Sequence, residues 1–136
     1  MQLAKLREKL TAEYAGDEGL PTSLCVLDYI AELPDEELRH LRLHSLAEGI
    51  GRSIDHLLLR AIAILVAGTV SVLETHLELI DDDDDPIEIE KSELTKAQET
   101  GSLVHPVNGK LIKDFESKIY PYFVPTKTFV LARNDG

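Results

Sequence analysis

Residues 57–73 read LLLRAIAILVAGTVSVL. Arg60 is the one charge in this stretch, and no other strongly polar side chain interrupts it. Up to residue 67 the apolar positions fall nearly all round a helix, which is the pattern of an interior helix. Gly68-Thr69 followed by the β-branched run Val70-Ser71-Val72 admits a strand instead. The reading is of a buried central helix to about residue 67, continuing to the mid-70s, with residues 69–80 open between helix and strand. A membrane span needs about 20 apolar residues. The charge-free run 61–73 is thirteen residues long and is closed by Arg60 and Glu74, so a core element is expected rather than a span.

Working towards the N-terminus, residues 2–15 place Leu3, Leu6, Leu10 and Tyr14 at helical steps. A second helix is expected over LCVLDYIAEL, capped by Ser23 and stopped by Pro34. Asp35 opens a third, with Glu36 and Glu37 in the turn where the helix dipole favours acids. That third helix changes its apolar face between Leu41 and Leu43 before Gly49-Ile50-Gly51 ends it. Ser53 is the expected cap of the central helix.

Working towards the C-terminus, residues 76–80 and 87–91 alternate with period two, which predicts a short hairpin around an acidic loop. Ser92 opens a short helix that Gly101 ends. A turn follows at 105–109. Residues 110–120 read as an amphipathic helix with Leu111, Ile112, Phe115 and Ile119 on one face, and 128–132 as a last strand. The fold class is therefore α+β and mainly helical: N-terminal helices around a central apolar helix, an acidic hairpin, then a small mixed C-terminal part. A soft boundary separates residues 1–80 from 81–136 within what reads as one compact unit.

The 136 residues carry a net charge of −11. Residues 74–93 hold ten acids against one base, so one block supplies most of it. The chain as a whole repels nucleic acid and anionic membrane, and the block attracts a basic protein surface. The single cysteine, Cys25, excludes an intrachain disulfide and points to a reducing compartment, the cytoplasm. It falls on the apolar side of a helix pattern, where a buried, inert thiol is expected.

Asp81, Asp82, Asp83, Asp84 and Asp85 form the most conspicuous polar feature. A calcium loop of EF-hand type starting at Asp81 would need glycine at its sixth position and glutamate at its twelfth; the chain has Pro86 and Ser92. A docking site for a basic partner fits the run better. Glu88-Ile89-Glu90-Lys91 falls short of a metal-nuclease spacing, because Ile89 stands where an acid is needed. His40 and His44 are four apart with Glu37 and Glu48 on the same strip, a spacing that can hold a metal. Arg39 and Arg42 oppose it. Asp55-His56 lacks a nucleophile in a strained turn to serve. Residues 93–112 carry a faint helix-turn-helix spacing, with Ala97 and Gly101 four apart, and Lys110, Lys113 and Lys118 make this end mildly basic. His105-Pro106 falls inside the would-be reading helix.

Five of the seven aromatic residues (Phe115, Tyr120, Tyr122, Phe123 and Phe129) lie within 115–129 among prolines. They are read either as core or as a contact surface built from Tyr120, Tyr122 and Phe123. The expectation is a non-catalytic protein without cofactor or metal that binds another protein, as an accessory subunit, adaptor or inhibitor. The alternatives are a DNA-binding regulator with a winged-helix-like C-terminal half, and a small metal-dependent enzyme using His40 and His44. A central rod that is apolar all round needs neighbours on every side, so a homo-oligomer or heterocomplex is expected.

Overall fold

The structure, a computed structural model, describes residues 2–81 and 85–135. Among the described residues, six α-helices and two small antiparallel sheets make it α+β and mainly helical. The chain divides into two units. One holds residues 1–75 and 123–136, the other residues 76–122. The divisions thus fall at 75/76 and 122/123, and the last fourteen residues return to the first unit.

In the first unit, α1 (Leu3–Glu13) buries Leu6 and Leu10, one helical turn apart, and α2 (Leu20–Ala31) buries Val26, Leu27 and Ile30. α2 begins earlier than its sequence reading. Pro21 occupies the first turn, where its missing N–H costs nothing. Ser23 lies inside the helix and donates to the Leu20 carbonyl instead of capping. The expected long third helix is broken. A 3₁₀ turn at Asp35–Glu37 is followed by an interruption, and α3 runs only from Leu43 to Gly49. The interruption is where Leu41 exchanges two backbone hydrogen bonds with Phe123, of 3.0 and 2.7 Å. The change of apolar face in the sequence marks that break.

α4 (His56–Ala67) is the central helix, and it packs chiefly on α2. Its cap is Asp55, not Ser53: Asp55 Oδ1 accepts from Leu58 N at 2.9 Å. Leu58, Ala61, Ile62, Ile64 and Leu65 are buried, each large one contributing about 1.5–3 kcal/mol. The helix is not enclosed, however. His56, Leu59, Arg60 and Ala63 are exposed, Leu59 by 51%. Nor does it continue to the mid-70s. After Gly68, Thr69 donates through its amide and hydroxyl to the Glu13 carboxylate, and Ser71 Oγ donates to the Val66 carbonyl. These bonds satisfy polar groups that further helix would have used, and the chain enters β1 (Leu73–Leu79).

α6 (Lys127–Asp135) replaces the strand expected at 128–132 and packs against α1. Thr126 decides this. Its hydroxyl oxygen accepts from Phe129 N while donating to the Ser71 carbonyl, so the chain after Pro125 meets a cap. Phe129 and Ala132 are then fully buried.

In the second unit, β1 pairs antiparallel with β2 (Ile87–Ile89), with Leu77 opposite Ile89, Glu78 opposite Glu88 and Leu79 opposite Ile87. The hairpin expected from the period-two pattern is present. β5 (Ile119–Pro125) completes the sheet in the order β2-β1-β5. α5 (Lys91–Thr100) ends at Gly101, whose φ of +84° favours glycine. The helix expected over 110–120 is replaced by β4 (Leu111–Ile112), a 3₁₀ turn at Phe115–Lys118 and the start of β5. β4 pairs with β3 (Leu103–Val104) across the turn at 105–109. Adjacent residues of a strand point to opposite faces, so Ile112 enters the core with Leu79, Ile89, Ala97, Leu103 and Phe115 while Leu111 points out.

Candidate functional site

The acids of residues 74–93 divide into groups used inside the fold and groups left at the surface. Asp81 belongs to the first class. It is 4% exposed, and its Oδ1 accepts from Lys118 Nζ at 2.6 Å. That hydrogen bond, against the smaller effect of burial, holds its carboxyl below the usual carboxylate range. Glu88 is also engaged. His76 Nδ1 lies 2.6 Å from its Oε1, and the Tyr122 hydroxyl donates to the same oxygen at 3.1 Å. The His76 contact first, then Tyr122, lower the Glu88 pKa. Burial, and then the same carboxylate, raise that of Tyr122. The His76 and Tyr122 rings stack with centroids 5.3 Å apart. Asp85, Glu90 and Glu93 are exposed, and their carboxylates have no ion pair among the described residues. Asp82, Asp83 and Asp84 lie outside the described residues.

The aromatic surface expected from Tyr120, Tyr122 and Phe123 is not assembled. Phe123 is buried in the core of the first unit, Tyr122 is half-buried against His76, and Tyr120 alone is exposed. The exposed apolar surface of residues 76–122 lies chiefly on β3 and β4 instead. Val104 and Leu111 face each other across the two strands and are 55% and 64% exposed. Val107 in the turn between them is 76% exposed. Their neighbours Leu103 and Ile112 are in the core, so this small sheet is apolar on both faces with one face open. The sequence signal was Asn108-Gly109 between two apolar pairs, a hairpin signature that a helix pattern over 110–120 obscured.

A cleft of about 560 Å³ runs between α5 and this hairpin. Glu93, Lys96, Ala97 and Thr100 form its helical wall, at steps of three, one and three. Residues 102–107 form the other wall. His105 is buried there, and its Nδ1 accepts from the amides of Val107 and Asn108, which fixes the turn.

The remaining candidates are dispersed. His40 lies in the interruption before α3 and His44 within it, so the two do not share a helical strip. His44 approaches Glu48 at 3.6 Å on the surface. No group of three His, Cys, Asp or Glu residues is placed to hold a metal among the described residues. Asp55 is used as a helix cap, and His56 faces Glu18 at 4.0 Å. Cys25 is exposed, contrary to expectation, because α2 turns Val26 and Leu27 inward beside it. The helix-turn-helix spacing is overturned as well: a hairpin, not a second helix, follows α5, since Pro106 and Asn108-Gly109 form a turn. No helix among the described residues is long and apolar enough to cross a membrane. No family model matches the chain, and neither does any curated protein or solved structure.

Proposed function

We propose that this protein is a non-catalytic accessory or adaptor subunit, or an inhibitor, that works in the cytoplasm by binding another protein with a basic surface. The observation that carries the reading is the open apolar pair Val104 and Leu111, with Val107 beside it, on the same unit as the unspent carboxylates Asp85, Glu90 and Glu93. Residues 76–122 hold twelve acids against five bases. Exposed aliphatic side chains supply packed contact, and uncompensated acids draw a basic partner before contact. Asp81, which read as part of the docking block, serves the fold through Lys118. The same reading retains self-association or a heterocomplex: exposed Leu59 and Ile54 leave apolar surface on the first unit as well.

Site-specific photocrosslinking in native lysate tests the reading. A photoreactive side chain at Val107 is expected to capture a discrete basic protein, and one at Glu8 on α1 is not. The adduct should fade as salt rises from about 0.05 to about 0.5 M, where the screening length falls well below 10 Å. Equal capture at both positions, or none at Val107, contradicts it.

A further inference from the structure

Among the described residues strand β3 has one neighbour, β4, and its other edge borders the cleft. The hydrogen-bond register shows what that edge offers. His105 N donates to the Lys110 carbonyl at 2.9 Å, so residues 105 and 110 are a hydrogen-bonded pair. Antiparallel ladders alternate such pairs with pairs that exchange no bonds. Leu103 and Ile112 are therefore bonded, while Val104 and Leu111 face each other without bonds. The Val104 N–H and C=O must point away from β4, towards the cleft. Neither has a hydrogen-bond partner among the described residues.

A cleft walled by a helix on one side and an open strand edge on the other accepts an extended chain. We propose that an extended, basic segment of the partner protein adds as a strand to β3, between it and α5. This rests on the protein-binding reading above and deepens it. The Val104 amide and carbonyl bond the incoming backbone. Val104 and Val107 pack against its apolar side chains. Glu93, on the helical lip and without an ion pair among the described residues, takes one of its basic side chains. Charge selects the occupant. The lining balances Glu93 against Lys96, but the unit that carries the cleft holds twelve acids against five bases, so a lysine- or arginine-bearing segment is drawn in and a second copy of this acidic unit is repelled.

The test uses the full chain and a capped peptide of alternating valine and lysine, about eight residues long, enough for one ordinary strand. Binding is expected to slow exchange of the Val104 amide by about tenfold or more. Val104→Pro removes the donor without touching the β3–β4 ladder, because that N–H points away from it. It is expected to weaken binding by about tenfold or more, as is N-methylation of alternate peptide amides. If the peptide binds Val104→Pro and the wild type alike, and the methylated peptide equally well, strand addition is wrong and the protein-binding reading stands. If the peptide fails to bind while a photoreactive group at Val107 still captures a partner, the occupant is not a basic strand. If both fail, both readings fall. Dimerisation that Val104→Pro abolishes would place a second copy in the cleft and also overturn the proposal.

Discussion

Lys118 closes the acidic hairpin onto the fold through Asp81: its ammonium donates to Asp81 Oδ1 at 2.6 Å, and its carbonyl accepts from Ile80 N at 2.9 Å. One residue thus anchors the start of the loop by side chain and backbone together. The run of five aspartates is not a run of equivalent charges. Its first member is structural.

Asp81→Asn should therefore lower the melting temperature, because it leaves the half-buried Lys118 ammonium without its closest counter-charge. Asp85→Asn should leave it unchanged, since Asp85 is exposed and makes no ion pair among the described residues. Thermal unfolding followed by circular dichroism compares the two. Equal effects would contradict the division between spent and unspent acids.

Stability should fall as the solution is acidified below about pH 4, the ordinary carboxylate range. Asp81, Asp17 and Glu88 all have folded pKa values held low, Asp17 first by its hydrogen bond from Arg60 and then by the Gly19 amide. A depressed folded pKa contributes stability that is present above the unfolded value and is lost as pH falls through the folded one. Urea unfolding from neutral pH downward should show this loss, and the Asp17→Asn/Asp81→Asn variant should show a flatter profile. An unchanged slope would sink the assignment.

The carboxylate of Glu88 should titrate nearer its ordinary value when its partners are removed. His76→Phe should raise it more than Tyr122→Phe, following the order of the two effects. Carbon-detected NMR titration of the side-chain carboxyl reads both directly. The reverse order would place Tyr122, not His76, as the main partner.

Helix α6 depends on its cap. Thr126→Ala removes the oxygen that accepts from Phe129 N and should cost about 1 kcal/mol. Phe129→Ala, at a fully buried site, should cost about 3–5 kcal/mol. Chemical denaturation measures both. A Thr126→Ala loss as large as that of Phe129→Ala would mean that the hydroxyl bond to Ser71 dominates.

Much of this architecture is legible in the sequence where one signal acts alone. Leu6 and Leu10 mark α1, Gly101 marks the end of α5, and the alternation Leu77-Glu78-Leu79 against Ile87-Glu88-Ile89 marks the hairpin. Legibility fails where two patterns share the same letters. Leu111, Ile112, Phe115 and Ile119 fit a helix face, but Asn108-Gly109 turns the chain and makes Leu111 and Ile112 the two faces of a strand. Thr128–Ala132 is β-rich in composition, and a capping threonine beside proline outweighs it. The site was half visible. Charge located the acidic hairpin, but composition could not separate Asp81, buried against Lys118, from Asp85, which is exposed. The apolar face of Val104 and Leu111 followed from the misread helix and was missed with it.

The measurement closest to the central claim is the association rate constant of the captured partner, taken across a salt series with the wild type and with Asp85→Asn/Glu90→Gln/Glu93→Gln. Electrostatic steering can raise on-rates by about 10–10³. The triple variant should bind about tenfold more slowly at low salt, with a shallower salt dependence and a melting temperature lowered only slightly, by the loss of the first-turn acid of α5. On-rates and salt slope equal to those of the wild type would contradict the claim that the unspent acids Asp85, Glu90 and Glu93 guide a basic protein to the apolar face of β3 and β4.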